Sequence, residues 1–230
     1  MSLVSFNPET MTKRSKIIIL IGLVAAVLFI YGLDADIYWL RMITKPIPVL
    51  CMALLVALQP VKGRYQWLVI TGLLFSAAGD VLLEASPNTF IFGLIAFLLG
   101  HVAYIMAFTY DSRKPYWGRG ALAYGYGVLI YAVLYFIGDL GDMTIPVLLY
   151  VLVICTMLWR ASARLGVPEI REESARTGFW GAVVFVFSDT VLALGRFGVL
   201  AHPLLRYVVI IAYWMGQMDI TRSAIAQKGE

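Results

Sequence analysis

Two aspartates lie within apolar segments that are long enough, or nearly so, to cross a bilayer. Asp80 falls in WLVITGLLFSAAGDVLLE and Asp189 in GFWGAVVFVFSDTVLALG. A charged side chain at the centre of a membrane helix costs about 2.5–3.5 kcal/mol on insertion scales, so such residues are rare and are functional candidates. We therefore expect both carboxyl groups to face one hydrated internal pocket, where they could carry out acid–base chemistry.

Further polar residues could reach this pocket from other segments. If each helical residue advances by about 1.5 Å, Lys45 lies at a depth similar to that of both aspartates, in the outer half of the bilayer. It could pair with an ionised aspartate, meet a lipid phosphate or extend to the outer interface. His101 and Tyr104 are three residues apart and share a helix face. The histidine could relay protons or be a hydrogen-bonded packing residue.

The last predicted helix carries Tyr213 and Gln217, which are four residues apart and also share a face. These two side chains, together with Tyr104, could form hydrogen bonds within the pocket, although both tyrosines could equally be aromatic packing. Arg196 lies in or beside the last outer loop, where it could bind a phosphate or be solvated. These residues complete the candidate site.

The composition is that of a polytopic membrane protein. Of 230 residues, 61% are hydrophobic and only 14% are charged, whereas soluble domains are about 45–50% apolar and about 25% charged. We expect an all-α bundle that forms a single integral membrane domain over residues 1–230, in a bacterial inner membrane or the endoplasmic reticulum. The net charge of +4 is explained by basic residues in cytoplasmic loops. We therefore expect no nucleic-acid partner.

The apolar segments predict about eight transmembrane helices separated by short loops that contain glycine, proline or charged residues. Short loops favour antiparallel packing of successive helices. The first helix lacks a clear cleavage site and is read as a retained helix rather than a signal peptide. The predicted ranges are 17–33, 41–59, 66–84, 89–110, 119–137, 144–161, 177–195 and 204–221.

The distribution of basic residues predicts the orientation of the bundle. Alternate loops and the two ends, Lys228 included, hold 14 of the 18 lysines and arginines. Because basic residues concentrate on the cytoplasmic side, both termini are predicted to be cytoplasmic. This alternation requires an even number of helices.

The segments around the two aspartates resemble each other. The sequence FSAAGDVLL at 75–83 is similar to FVFSDTVL at 185–192, with one residue fewer before the acid. The third and seventh predicted helices run in the same direction, which is consistent with a parallel duplication of four helices. Shared apolar composition is the alternative explanation.

Motifs for several other kinds of chemistry are missing from the sequence. It contains no HExxH, no GxSxG elbow, no P-loop and no GxGxxG that opens a helix. The chain has two histidines, which argues against a multi-histidine metal site. Cys51 and Cys155 lie in apolar runs, where cysteine usually packs as a small hydrophobe. We therefore expect neither metal nor cofactor, and acid–base catalysis by carboxyl groups.

The ordered set of motifs resembles the YhhN family of membrane lysoplasmalogenases over nearly the whole chain. The matching pieces are TKPIP at 44–48, AGD at 78–80, GHVAY at 100–104, FSDTVLA at 187–193, and Tyr213 with Gln217. The resemblance implies a hydrolase with eight membrane helices. It would cleave the vinyl ether bond of a lysoplasmalogen taken from the bilayer, releasing a fatty aldehyde and glycerophosphoethanolamine or glycerophosphocholine.

Two carboxyl groups suit this chemistry. One protonated acid would protonate the vinyl carbon, and an ionised partner would stabilise the oxocarbenium ion or guide water, as in glycoside hydrolysis. Asp189, which is placed deeper by counting residues, is the preferred acid, and Asp80 the stabiliser. A proton-coupled transporter or a lipid-binding membrane protein could use the same aspartates and remains the alternative. The sequence sets neither the head-group preference nor the oligomeric state.

Overall fold

The computed structural model describes residues 12–227, and within that range it contains nine α-helices and no strand. Lys228, one of the basic residues used to predict the orientation, lies outside the described residues. The helices are α1 Lys13–Asp34, α2 Tyr38–Thr44, α3 Ile47–Ala57, α4 Arg64–Ala85, α5 Phe90–Asp111, α6 Trp117–Phe136, α7 Thr144–Ser162, α8 Glu172–Arg196 and α9 Leu205–Ala226.

The second predicted helix, at 41–59, is broken into two pieces. Helix α2 ends at Thr44 and α3 begins at Ile47, with Lys45 and Pro46 between them. Proline lacks a backbone N–H and clashes with the preceding turn, so it interrupts a helix interior. The segment begins at Tyr38 rather than 41, and Pro46 therefore interrupts the crossing instead of lying near its start.

Seven segments in the described part of the chain are long and apolar enough to cross a membrane, when α2 and α3 are counted as one crossing. Large apolar side chains such as Leu122 and Phe136 are exposed on their outer faces, as lipid contact requires. Helix α9 is not among these seven segments, since it is less apolar and carries the charged residues Arg206, Asp219 and Arg222. It packs along α8, and much of it is buried. The predicted all-α membrane bundle of about eight helices is confirmed.

Glycines bring α4 against α5, and α8 against α9, at backbone distance. A Cβ atom at Gly100 would lie 3.1 Å from the carbonyl oxygen of Gly72, and one at Gly216 would lie 3.0 Å from that of Gly181. Small residues allow such close approach between membrane helices. Gly72 and Gly181 each precede an aspartate of the candidate site by eight residues, so the two hairpins are built alike.

Helices α3 and α7 extend this similarity. Both contain the sequence IPVL near their start, at 47–50 and 145–148. Helix α3 packs against α4 and α9, whereas α7 packs against α8 and α5. In a parallel duplication α3 corresponds to α7, α4 to α8 and α5 to α9. The contacts of α3 with α4 and α9 then correspond to those of α7 with α8 and α5, which supports the duplication.

A buried arginine joins the helix ends that lie far from the candidate site. Arg164 is completely buried and forms an ion pair with Asp111 at 2.7 Å. It donates hydrogen bonds to the Ser174 carbonyl oxygen at 3.1 Å and the Ser223 hydroxyl at 2.9 Å. Its guanidinium carbon lies 4.5 Å from the centre of the Tyr65 ring. This cluster connects α4, α5, α8 and α9.

Candidate active site

A cavity of about 410 Å³ lies where α4 and α8 end and where α5 and α9 begin, and α1, α6 and α7 complete its wall. Its lining is mostly aliphatic and aromatic. Asp80 and Asp189 both lie on this wall. A largely apolar pocket with a few convergent polar groups is the usual form of a small-molecule site.

Asp80 is the more enclosed of the two acids, with only 1% of its surface exposed. It accepts a hydrogen bond of 2.8 Å from the Tyr213 hydroxyl on α9. The adjacent Gly79 allows Phe97 of α5 to pack closely, since a Cβ atom there would lie 2.6 Å from that ring. The carboxyl group is thus held between three helices.

Asp189 is partly exposed and accepts a hydrogen bond from the Tyr150 hydroxyl on α7. The neighbouring Ser188 donates to the Val209 carbonyl oxygen at 2.8 Å, which ties α8 to α9 beside the acid. The preference for Asp189 as the acid assumed that it is the less hydrated carboxyl, whereas Asp80 is the less exposed of the two in the structure. Which aspartate donates the proton stays a prediction. Counting residues from a helix centre ignores how neighbouring helices cover a position.

Tyr150 was not recognised as a site residue from the sequence. It lies three residues after Val147 and four before Ile154, and all three line the cavity. Residues at this spacing share one helix face. The Tyr150 hydroxyl on the otherwise apolar inward face of α7 is the sequence feature that could have indicated its role.

Lys45 pairs with a third carboxylate and not with either aspartate. Its Nζ lies 3.2 Å from Oε2 of Glu84, and Nε of Arg41 lies 2.7 Å from Oε1 of the same side chain. Arg41 also pairs with Asp36 at 2.5 Å. Glu84 lines the cavity beside Lys45. Its position four residues after Asp80 could have identified it, since that spacing places both on one face.

No salt bridge joins Asp80 or Asp189 to a cation among residues 12–227. Each carboxyl group is instead held by one tyrosine hydroxyl. Negative charge that develops on either acid is therefore not neutralised by direct ion pairing.

Three predicted site residues lie behind the cavity wall and do not line it. Tyr104 is fully buried and donates a hydrogen bond of 2.6 Å to Oε1 of Gln217, which is also fully buried. His101 stands edge-on to Phe185 and Tyr150, with ring centres 4.8 and 5.3 Å away. Its ring faces the Phe97 carbonyl without reaching hydrogen-bond geometry. These side chains support the wall.

Arg196 does line the cavity, at the end of α8. Its side chain is exposed, and its guanidinium carbon lies 4.8 Å from the centre of the Phe90 ring. The structure thus brings Lys45, Asp80, Asp189, Arg196 and Tyr213 to one cavity.

The arrangement suits proton transfer. Across residues 12–227 there is no group of three or more His, Cys, Asp or Glu side chains that could hold a metal ion. Besides Glu84, which is paired with Lys45 and Arg41, the cavity offers two carboxyl groups on different helices, each oriented by a hydroxyl. One can donate a proton to a reacting group while the other stabilises positive charge.

Comparison with known proteins supports the resemblance seen in the sequence. The YhhN family model matches residues 40–224, which include both aspartates. The chain belongs to the YhhN family. No solved structure matches it.

The curated relatives of this YhhN chain include mammalian and bacterial proteins. It is 33% identical over 191 residues to lysoplasmalogenase TMEM86B of Rattus norvegicus, covering 83% of the chain and 76% of the relative. The TMEM86B protein of Homo sapiens is 33% identical over 192 residues, covering 81% and 76%. A lysoplasmalogenase of Mycobacterium bovis is 34% identical over 174 residues, covering 71% and 62%. These names indicate a hydrolase, and the membrane segments make the chain a multi-pass integral membrane protein.

Proposed function

We propose that this protein is a lysoplasmalogenase that hydrolyses the vinyl ether bond without a metal ion. The products would be a fatty aldehyde and glycerophosphoethanolamine or glycerophosphocholine. The observation that carries this proposal is the pair of aspartates on one apolar cavity wall, neither of them in an ion pair with a cation of residues 12–227. The names of the relatives support the same substrate class.

The reaction begins with transfer of a proton from one carboxyl group to the second carbon of the alkenyl chain. The first carbon then becomes an oxocarbenium centre, and the ionised partner carboxylate stabilises it. Water adds to this carbon and loses a proton, which forms a hemiacetal. The bond between this carbon and the glycerol oxygen then breaks, the glycerol oxygen gains a proton and the aldehyde is released. Asp80 and Asp189 are the two carboxyl groups in this scheme.

The surroundings of the aspartates suit this scheme. Glu84 engages Lys45 and Arg41, so neither cation forms an ion pair with the carboxylate that must face a developing positive charge. Fixed charges in a site with little water stabilise such a centre more strongly than they would in solution. Tyr213 and Tyr150 fix the orientation of the two carboxyl groups, and the apolar lining accommodates the hydrocarbon near the vinyl ether.

The direct test replaces each carboxyl group by an amide of the same shape. We expect Asp80→Asn and Asp189→Asn each to abolish aldehyde release from a lysoplasmenylethanolamine by purified protein in detergent. The matched control is Asp142→Asn, because Asp142 is exposed and lies outside the cavity lining. Near-normal turnover by either cavity variant would remove that aspartate from the mechanism.

A substrate analogue tests the alkene step itself. A lysolipid with a saturated alkyl ether has no double bond to protonate, so it should bind without being cleaved. Cleavage of this analogue at a comparable rate would show that protonation of an alkene is not the key step.

A carrier function is the second candidate, and the parallel repeat is the observation that favours it. Many carriers consist of two repeated halves with a substrate site between them. A carrier would move lysolipid or protons across sealed vesicles and would release no aldehyde. Aldehyde release that depends on both aspartates would exclude transport as the sole function.

A further inference from the structure

Two arginines at the rim of the cavity have no acidic partner among the described residues. Arg196 is the last residue of α8 and Arg206 lies in the first turn of α9, and both side chains line the cavity and are exposed. Neither takes part in any ion pair within the described part of the chain. The other cations at this end, Lys45 and Arg41, are paired with Glu84.

Aromatic rings hold both guanidinium groups in place. The guanidinium carbon of Arg196 lies 4.8 Å from the centre of the Phe90 ring, and that of Arg206 lies 4.8 Å from the centre of the Tyr207 ring. Stacking of this kind restrains the guanidinium plane and leaves its N–H edge available.

Most of the N–H donors of these arginines are uncommitted. A guanidinium has five such donors. Two nitrogens of Arg206 donate hydrogen bonds, Nη1 to the Leu33 carbonyl oxygen at 3.1 Å and Nη2 to the Tyr207 hydroxyl at 2.9 Å. The nearby Asp34 accepts its hydrogen bond from the Tyr207 hydroxyl. Arg196 has no hydrogen-bond partner among residues 12–227. These two arginines therefore leave charged N–H donors available at the rim.

We propose that Arg196 and Arg206 form a phosphate subsite that binds the phosphodiester of the lysolipid head group. This inference rests on the proposed function and adds how the substrate is selected. Guanidinium groups bind phosphate oxygens through paired, charge-assisted hydrogen bonds. The two N–H edges supply the donors that the nonbridging oxygens of a phosphodiester accept.

The position of the subsite matches the length of the substrate. Arg196 follows Asp189 by seven residues, so the two side chains leave α8 about 10 Å apart along its axis. Two oxygens and three carbons separate the phosphorus from the first vinyl carbon of a lysoplasmalogen, which is a comparable length. Phosphate bound at the rim therefore places the vinyl ether beside the aspartates and directs the hydrocarbon towards the apolar lining.

This subsite recognises the group that ethanolamine and choline lysolipids share. Both head groups should therefore be accepted, and a 1-alkenylglycerol that lacks phosphate should be a poor substrate. The difference between the phospholipids and 1-alkenylglycerol should appear mainly in KM, because the phosphate is not part of the reacting bond.

The test compares Arg196→Gln, Arg206→Gln and the double variant on two substrates with the same alkenyl chain. One is a 1-alkenyl-glycerophosphoethanolamine and the other a 1-alkenylglycerol. Because a hydrogen bond to a charged group changes an affinity by roughly ten- to a hundredfold, we expect each variant to lower kcat/KM for the phospholipid about tenfold. Turnover of 1-alkenylglycerol should be unchanged. Arg176→Gln is the control, since Arg176 is exposed at the opposite end of α8.

The proposal is overturned if the double variant keeps the wild-type KM for the phospholipid, or if it loses activity equally on both substrates. In the second case the arginines serve folding or catalysis in general. A change in Arg176→Gln as large as that in the rim variants would also refute a local subsite.

Binding of unreactive ligands separates this inference from the proposed function. The ligands are a 1-O-alkyl-glycerophosphoethanolamine and a 1-O-alkylglycerol, with Kd measured from intrinsic tryptophan fluorescence. We expect wild-type protein to prefer the phospholipid and the double variant to lose that preference. If wild-type protein releases no aldehyde but shows this arginine-dependent preference, the hydrolase proposal fails and the phosphate subsite stands. Equal binding of both ligands by wild-type protein refutes the subsite.

Discussion

Replacing Tyr150 by phenylalanine tests whether Asp189 depends on its tyrosine. The Tyr150 hydroxyl donates to Oδ2 of Asp189, and the carboxyl group has no cationic partner in the described part of the chain. Phenylalanine keeps the ring, which packs edge-on against His101 with ring centres 5.3 Å apart. The change therefore removes one hydrogen bond and little else.

The expected loss follows from the type of bond that is removed. When Asp189 is the ionised carboxylate of the pair, a hydrogen bond to it contributes about 1.5–3 kcal/mol. At about 1.4 kcal/mol for each factor of ten in rate, kcat should fall roughly ten- to a hundredfold. The effect should be smaller than that of Asp189→Asn, because the carboxyl group itself remains. KM should change little, since the hydroxyl engages the acid and not the lipid.

The assay is steady-state aldehyde release by purified protein in detergent, with kcat and KM determined separately. Tyr124→Phe is the matched control. Tyr124 also bonds a hydroxyl on α7, that of Thr156 at 2.7 Å, but it does not line the main cavity. Thermal unfolding of both variants shows whether the fold is intact.

Three results would refute this reasoning. If Tyr150→Phe keeps kcat within twofold of wild type, Asp189 does not need the hydroxyl. If KM rises and kcat stays constant, the tyrosine binds substrate and does not position the acid. An equal loss in Tyr124→Phe would point to a general effect of removing a buried hydroxyl.

The remaining predictions concern stability. Arg164→Met should lower the free energy of unfolding by about 3–5 kcal/mol, because Asp111 loses its buried guanidinium partner; thermal unfolding in detergent measures this, and a shift no larger than that of an exposed arginine variant would contradict it. Gly216→Ala should destabilise the protein by about 1–3 kcal/mol, because its Cβ would meet the Gly181 carbonyl oxygen at 3.0 Å. Gly125→Ala, which meets no atom within 4 Å, is the control and should be neutral or stabilising; equal losses in both glycine variants would show that the helix crossing is not tight.

The sequence was most informative where a residue type is costly in its surroundings. An aspartate in an apolar helix stands out because its burial must be compensated, and this identifies Asp80 and Asp189 from the sequence alone. The bundle itself follows from long apolar segments. Their catalytic roles stay a prediction, and so does the cytoplasmic location of the termini.

The sequence was less informative about contacts between helices. Tyr150 looks like ordinary aromatic packing until α7 is placed against α8. Glu84 lies near a helix end and resembles a solvated charge, although it pairs with Lys45. Tyr104 and Gln217 were expected to reach substrate, but they bind each other behind the wall. Each of these contacts depends on which faces of neighbouring helices pack together. Helix periodicity shows which residues share a face, but it does not determine which face of another helix they contact.

The glycine crossings affect where a lipid can enter. Sliding α4 past α5, or α8 past α9, would force backbone atoms together at these crossings, so these two pairs form a fixed frame. Helix α6 packs mainly on α7 and meets α8 at few points, where the exposed hydroxyls of Tyr126 and Thr190 lie 2.8 Å apart. Breaking that single bond costs about 1 kcal/mol. We therefore expect a lateral entrance between α6 and α8, through which a lysolipid passes from the bilayer to the aspartates without dissociating into water.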